Sequence, residues 1–256
     1  MVLVLAWAPA PSLAQPRESS VAETKIAGTV EQFHAWREAL LRGDAPPPAW
    51  MSRFFDAIGS AAKAPDPGFA GEVAIRIARE QFAQQALMHL PDLGAAFPPY
   101  RDLEQTQLQP FWQSIDAEMQ AVFRQNAAWL KQRFEARGAW WKISEVGERT
   151  ASDLWLQAQH ADHDPELQGR VLKAMEMLLG AREVSPAHYA YLWDRVAKNA
   201  GRPQRYGTQI IGCQEGRAVV HPIEDLGGLE ARRLEHGLEP HADYLAGNCL
   251  NFAAAE

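Results

Sequence analysis

The sequence lacks the features that would assign it to several large classes of protein. No run of apolar residues is long enough to span a bilayer, so we expect no integral membrane segment. Acidic residues outnumber basic ones, 32 against 25, and the two are interleaved, which leaves no basic face to follow a nucleic-acid backbone. The motifs G-x-S-x-G, H-E-x-x-H and G-x-x-x-x-G-K are also missing. We therefore expect no nucleic-acid partner. None of these catalytic motifs is present to indicate a reaction.

Cysteine is scarce as well, because Cys213 and Cys249 are the only two. Their positions do not have the close spacing of cysteines that bind zinc. An oxidising compartment would favour a disulfide between them, whereas a reducing one would leave two thiols. Spacing in sequence does not show whether their Cα atoms come within bonding distance, so the disulfide stays an open question here.

The N terminus has the outline of a secretory signal. Residues 1–14 form a short apolar run that ends in Ser12-Leu13-Ala14, the small-x-small form of a cleavage site, although no basic segment precedes the run. We therefore expect a signal peptide at 1–14 and a periplasmic or secreted protein, or a cytoplasmic one if this segment is not a signal. The small and polar residues 15–29 are expected to form a flexible leader.

Most of the remaining chain has apolar residues at helical spacing. The longest such pattern covers about 109–137 and stops at Gly138, a residue that commonly ends helices. Asp164-Pro165 and Ser185-Pro186 each combine a capping side chain with a proline at the first helical position, which predicts two helix starts. Residues 204–225 alternate β-branched and polar side chains around a glycine turn, which predicts a hairpin.

These patterns predict a mainly α protein. Antiparallel helix pairs would form a helical bundle or a short solenoid, with one β-hairpin near the C terminus. We divide the chain after the leader into an N-terminal helical region at 30–143 and a second helical region with the hairpin at 144–256.

Three motifs in the second region carry a resemblance to known sequences. They are "QHADHDP" at 159–165, "YAYLWDR" at 189–195 and "GRPQRYGTQ" at 201–209. In this order they resemble a bacterial domain family of unknown function, which is helical with a small terminal β element. Upstream, "REQFAQQ" around Glu80 and "RQNAAW" around Asn126 are similar to earlier segments of the same family. The resemblance implies the fold and a site around these motifs, but no activity.

The first motif favours two kinds of chemistry. In a tight turn, His160, Asp162 and Asp164 could converge on one cation, with a further ligand supplied from His188, Asp194 or His221. Whether a metal or any other cofactor is bound stays unknown at this point.

Acid/base catalysis is the second reading of the same cluster. A histidine with an ordinary pKa accepts a proton near neutral pH, so His160 is the candidate general base, with Asp162 or Asp194 orienting its ring. The guanidinium of Arg195 would bind a carboxylate or phosphate of the substrate at two points. Neutral hydrogen bonds to the ligand would come from four further side chains: Gln159, Gln204, Tyr206 and Gln209.

A purely structural reading accounts for the same residues. Asp164 would cap a helix, His160 would bind a main-chain carbonyl, and Asp194 with Arg195 would pin the last long helix to the hairpin. The contact that separates the readings is the one made by His160, because a catalytic base needs a nearby carboxylate and an open cleft, whereas a structural histidine is sealed against a carbonyl.

Two hypotheses about function follow. The first is a hydrolase-like enzyme that uses His160 as general base on a small molecule or peptide. The alternative is a non-catalytic scaffold that binds a ligand or a protein, in which Trp140, Trp141 and Tyr206 matter more than His160. Adjacent tryptophans in a turn cannot both point inward on one face, so one of the pair is expected to line a cleft. The oligomeric state is not predicted.

Overall fold

A computed structural model describes residues 16–55, 68–214 and 217–253 of the chain. Most of these residues lie in helices that pack against one another, and the strands form one antiparallel two-stranded hairpin, so the predicted fold class is confirmed. The elements in chain order are α1 (Pro16–Arg42), α2 (Ala49–Phe55), α3 (Gly68–Met88), α4 (Leu90–Ala96), α5 (Pro98–Arg101), α6 (Gln105–Arg137), α7 (Ile143–Gln159), α8 (Pro165–Leu179), α9 (Pro186–Asn199), β1 (Ile210–Gln214), β2 (Arg217–Val220), α10 (Leu229–Glu235) and α11 (His241–Ala253).

Local signals fix several of these helix ends. Gly138 ends α6 with φ at 73°, a left-handed conformation that suits glycine. The side chain of Asp164 accepts a hydrogen bond of 2.9 Å from the Leu167 amide at the start of α8, as the sequence predicted. Ser185 caps α9 in the same way. The joint between α7 and α8 is therefore a short capped turn, which fixes the backbone of the first motif.

Helices α3 and α6 contribute to both apolar cores of the molecule. One core contains Phe82 of α3 and Phe111 of α6, together with Phe33 of α1. The other contains Val73 of α3 and Leu130 of α6, and it also receives buried side chains from α7, α8 and α9: Leu154, Leu167 and Leu192. Each fully buried side chain of this kind stabilises the fold by about 1.5–3 kcal/mol. The two long helices thus position the 144–256 region against the N-terminal region.

The N-terminal helix is longer than the sequence predicted. The expected flexible leader at 15–29 is largely helical, because α1 begins at Pro16. Ile26 packs against the first core, and Val30 and Phe33 follow it at helical spacing, so the same apolar stripe extends towards the N terminus. The expected signal peptide at 1–14 lies outside the described residues.

Cys213 is disulfide-bonded, whereas the side chain of Cys249 is outside the described part.

Asp194 fixes the segment that leads into the hairpin. Its carboxylate is fully buried and accepts hydrogen bonds from the backbone amides of Arg205, Tyr206 and Thr208 at 2.7–3.0 Å. The hydroxyl of Thr208 donates a fourth bond at 2.9 Å. Burial raises the pKa of Asp194 above its ordinary value, although these hydrogen bonds act in the opposite direction. Asp194 therefore holds the 205–208 loop on α9.

The carbonyl groups of this loop are held from the other side. Buried Arg233 of α10 donates from Nη1 to the Tyr206 carbonyl at 2.6 Å, and the Tyr244 hydroxyl of α11 donates to the Thr208 carbonyl at 2.7 Å. Gly207 has φ at 70°, and a Cβ there would approach Nε2 of His241 to 2.7 Å, so only glycine fits. The last two helices and α9 thus clamp one short segment of backbone.

We expect Asp194→Ala to lower the free energy of unfolding by about 3–5 kcal/mol, because four buried donors lose their acceptor together. Urea unfolding at neutral pH measures this loss. Asp225 is the matched control, since its exposed carboxylate also accepts from two backbone amides, those of Gly227 and Gly228. Asp225→Ala should cost far less, because water replaces the lost acceptor at an exposed position. Equal losses in the two variants would contradict the buried clamp.

His188 joins α7 and α9 through an aromatic contact. Its ring stacks on Trp155 with centroids 3.9 Å apart and planes 2° apart. Burial lowers the pKa of His188 from 6.5 to about 4, because the imidazolium would lose its hydration in this position. The residue is therefore a neutral packing group at physiological pH.

This shift predicts a pH-dependent contribution to stability. In the unfolded chain His188 takes up a proton near pH 6.5, whereas in the folded protein it does so only near pH 4, so stability falls as the pH drops through this window. At pH 4.5 the cost is about 2 kcal/mol relative to pH 7.5. His188→Phe keeps a flat ring, and we expect the variant to lose about 2 kcal/mol less than the wild type over this range in urea unfolding. Exposed His163→Gln is the control, and identical pH dependence in wild type and His188→Phe would contradict the assignment.

Candidate functional site

The ring of His160 faces a buried carboxylate of a distant helix. His160 lies at the C-terminal end of α7, and its Nδ1 is 2.6 Å from Oε1 of Glu80 on α3. The Glu80 side chain is 0% exposed and the His160 side chain 11% exposed. A carboxylate removed from water in this way requires a hydrogen-bonding or charged partner, and the imidazole supplies one.

The second oxygen of Glu80 is held by α6. Nδ2 of Asn126 donates to Oε2 of Glu80 at 2.7 Å, and Nη1 of Arg76 lies 3.4 Å from Oδ1 of Asn126. Both oxygens of the carboxylate therefore have a partner, and its position is fixed by three helices. We call the group formed by Arg76, Glu80, Asn126 and His160 the Glu80 network.

This arrangement determines what the imidazole can do. Because a carboxylate accepts hydrogen bonds, Nδ1 of the neutral ring carries the proton and Nε2 keeps its lone pair. No hydrogen-bond partner occupies Nε2 among the described residues. The ring of Phe123 packs beside the imidazole, with centroids 5.0 Å apart. A histidine oriented through one nitrogen, with the other available, is the arrangement of a general base.

Two more polar side chains of α7 are buried on the same side as His160. Asp153 pairs with Arg149 at 3.0–3.1 Å, and burial, together with the charge of Glu80, raises the pKa of Asp153. Gln157 is 1% exposed, and within the described chain neither its Oε1 nor its Nε2 has a hydrogen-bond partner. A buried amide without partners costs about 1–3 kcal/mol, so it is a feature that invites a functional explanation.

The aspartates expected to orient His160 have other partners. Asp162 accepts from Nη1 of Arg195 at 3.2 Å, from Asn199 at 2.8 Å and from Gln168 at 3.2 Å. Burial alone would raise its pKa, but the charge of Arg195 and the two amides lower the pKa of Asp162 below its usual value. Asp194 is engaged with the 205–208 loop, as described above. The carboxylate beside His160 is Glu80 instead, which corrects the expected pairing.

Most of the predicted ligand-binding side chains are bonded within the protein. Gln204 donates to the His221 carbonyl at 2.6 Å and accepts from the Gln209 amide at 2.8 Å, and the side chain of Gln209 donates to Thr208. The hydroxyl of Tyr206 lies 3.3 Å from Nε2 of His236. These residues are buried and brace the hairpin entrance.

Gln159 and Arg195 differ from this group. Both are buried, and within the described residues Oε1 of Gln159 and Nε of Arg195 lack a partner. The predicted site residues therefore fall into three hydrogen-bonded groups, around His160, around Asp162 and around Asp194. A role in substrate binding stays a prediction for Gln159 and Arg195.

The structure offers no support for a metal centre at this turn. In the part of the chain that it describes, no three residues of the types His, Cys, Asp and Glu are grouped so that they could hold an ion. His188 stacks on Trp155, and Nε2 of His221 lies 2.9 Å from the Arg202 carbonyl. Any cofactor thus stays unassigned.

Within the same described ranges, no helix combines the length and apolarity that a bilayer crossing requires.

Both tryptophans of the pair are buried in the same apolar core, so the expectation that they cannot both point inward is wrong. Trp140 is buried edge-on against Phe134, with centroids 5.6 Å apart. Trp141 lines an open cavity of about 600 Å³ between α3, α6 and the start of α7. His160 does not line this cavity. Of the two conditions for a catalytic base, the structure shows the nearby carboxylate at His160, and this cavity is not the open cleft that the second condition requires.

The sequence pointed to His160 but gave no role to Glu80 and Asn126. Two short segments, "REQFAQQ" and "RQNAAW", already resembled the family, and they contain these two residues. A polar residue on the apolar face of each helical pattern was the signal that could have identified them.

Comparison with known sequences agrees with the motif resemblance. A family described as "Family of unknown function (DUF6624)" matches residues 104–250, more than half of the chain. No curated protein and no solved structure matches the chain. The match includes Asn126 and His160, whereas Glu80 precedes it. The chain belongs to this family of unknown function.

Proposed function

We propose that the protein is a hydrolase-like enzyme in which His160 acts as general base on a small molecule or peptide. The observation that carries the proposal is the 2.6 Å contact between Nδ1 of His160 and the fully buried Glu80. It supports catalysis over the structural reading because a histidine that serves only to join helices needs no buried carboxylate, and here no main-chain carbonyl takes its ring nitrogen within the described residues.

In this proposal Nε2 of His160 removes a proton from a water molecule, or from another nucleophile, as it attacks the substrate. The imidazolium that forms is stabilised by Glu80, and Asn126 keeps the carboxylate in place. General base catalysis of this kind contributes about 10²–10⁴ in rate. The proton later passes from Nε2 to the leaving group, so the histidine returns to its neutral form.

The unpartnered amide of Gln157 supports the same location. It belongs to the helix that carries His160 and lies one turn before it, so its donor and acceptor could bind a polar group of the substrate or the attacking water. Asp153 lies one further turn towards the N terminus of α7 and adds a buried carboxyl group with a raised pKa. Groups of this type are concentrated at functional sites.

The first test compares His160→Gln with His163→Gln. His163 lies in the same turn and is exposed, so it controls for unspecific histidine chemistry. With p-nitrophenyl acetate and a mixture of fluorogenic peptides as probes, we expect the His160 variant to lose 10²-fold or more in kcat/KM on whichever probe the wild type turns over. The His163 variant should keep its rate, and both should melt within a few degrees of the wild type.

Glu80→Gln provides the second arm of this test. The amide retains the shape of the side chain but removes the charge that stabilises the imidazolium, so we expect kcat to fall about tenfold or more with little change in KM. Full activity of His160→Gln would contradict the proposal. Unfolding of His160→Gln at room temperature would assign the residue to structure.

We also propose that the protein is exported. The apolar run before Ala14 supports this, and so does the disulfide of Cys213, because structural disulfides form in oxidising compartments. N-terminal sequencing of the protein from the periplasmic fraction of an expressing bacterium should show a chain that starts at Gln15. A cytoplasmic protein that retains Met1 would contradict export.

A further inference from the structure

The cavity of about 600 Å³ is not lined by Glu80, Asn126 or His160 and is not used by the proposed reaction. Its walls come from α3, α6 and the first turn of α7: Phe69, Arg133, Arg137, Trp141, Glu145 and Val146. Along α6, Arg137 follows Asn126 by eleven residues, which corresponds to about 16 Å. A ligand in this cavity would therefore occupy a separate site.

The inner wall of the cavity is aromatic. Phe69 stacks on Trp141 with centroids 5.4 Å apart and planes 21° apart, and it stacks on Trp129 at 6.0 Å with the same angle. Phe69 and Trp141 of this stack line the cavity together with the aliphatic side chain of Val146, so this side of the cavity presents an apolar, aromatic surface. Such a surface suits the flat body of an aromatic ligand, since offset stacking is favourable between rings.

Arginine side chains surround these rings. The guanidinium carbon of Arg76 lies 4.5 Å from the centre of the Trp129 ring, and that of Arg133 lies 5.6 Å from it. The corresponding distance from Arg137 to Trp141 is 5.8 Å. Arg133 and Arg137 are one turn apart on α6, so both guanidinium groups are presented on one face of the helix.

The arginines at this place are paired with carboxylates, but not through all of their donors. Glu72 is shared, because Arg76 approaches it to 3.4 Å and Arg133 to 3.1 Å, and Glu145 pairs with Arg137 at 2.5 Å. Arg133 and Arg137 each use a single nitrogen in these pairs as far as the described residues show, so further N–H donors remain for an anion.

We propose that this cavity binds an organic anion, namely a flat apolar body that carries one carboxylate, sulfonate or phosphate group. The body lies against Phe69, Trp141 and Val146, and the anionic group takes the free donors of Arg133 and Arg137. The volume is within the range of small-molecule sites. This site stands independently of any chemistry at His160.

Isothermal titration calorimetry with two matched probes tests the proposal on the full chain. 2-Naphthoate carries the flat body and the carboxylate, whereas 2-naphthamide has the same shape without charge. We expect 2-naphthoate to bind at least tenfold more tightly than the amide, and to quench tryptophan fluorescence as it binds beside Trp141. Failure of 2-naphthoate to bind at millimolar concentration, or equal affinity for the amide, would overturn the proposal.

Variants locate the binding. Arg133→Gln with Arg137→Gln should weaken 2-naphthoate at least tenfold, and the single Arg133→Gln, at a half-exposed position, serves if the double variant does not fold. Arg170 is the matched control, because it also pairs with a glutamate and lies over an aromatic ring, Phe134, outside the cavity lining. Arg170→Gln should bind as the wild type does, and an equal loss in this control would overturn the assignment.

Glu72→Gln should raise the affinity for 2-naphthoate, whereas the arginine variants should lower it. Removal of the shared carboxylate leaves Arg76 and Arg133 without their counter-charge, so we expect 2-naphthoate to bind severalfold more tightly. A variant that only loosens the fold would not show this gain. Unchanged or weaker binding by Glu72→Gln in a folded protein would contradict the assignment of the anionic group to Arg133.

Discussion

The contact between Glu80 and His160 is the interaction on which the arrangement of this molecule depends. A carboxylate with no exposure is destabilised by several kcal/mol unless hydrogen bonds replace its water. Glu80 obtains these bonds from α6 and from the end of α7, so the folding of three helices is coupled through one side chain. Loss of either partner without a replacement donor would leave a buried charge without full compensation. The network is therefore under strong geometric constraint, which is what an oriented base requires.

The contact between Glu80 and His160 joins a part of the sequence that matches the family to a part that precedes the match. Asn126 and His160 lie inside the segment that matches the family, whereas Glu80 lies before it. Val73 of the same helix belongs to the core that α7, α8 and α9 share. Helix α3 thus completes both the hydrophobic core and the polar network of the family segment. The segment that matches the family therefore contains His160 without its carboxylate partner.

Buried polar groups of this protein perform two different tasks. Asp194 has every acceptor position matched by a donor of the 205–208 loop, so its burial fixes backbone and leaves nothing for a ligand. His160 and Gln157 instead retain atoms that no described residue satisfies. A carboxylate whose oxygens are all bonded within the protein has a structural role, whereas an unbonded polar atom remains available to a ligand. This contrast separates residues that the sequence motifs had grouped together.

Local features of the fold could be predicted from the sequence, because their causes are local. The caps at Asp164 and Ser185, the end of α6 at Gly138 and the hairpin each depend on a few adjacent residues. The partner of His160 could not be predicted in the same way, since Glu80 is 80 residues away and only helix packing brings the two together. The nearby aspartates were the more obvious partners in sequence, but the capped turn directs Asp162 towards α9. The helical start at Pro16 was missed because its apolar stripe is sparse.

The tautomer of His160 tests the central claim most directly. Long-range ¹H–¹⁵N NMR of the imidazole groups, with His160 assigned by its loss in His160→Gln, reports which ring nitrogen carries the proton. A hydrogen bond to Glu80 predicts that the neutral imidazole carries its proton on Nδ1, with a strongly downfield resonance, and leaves Nε2 unprotonated. A proton on Nε2, or rapid exchange between both tautomers, would show that Glu80 does not orient the ring and would contradict the account.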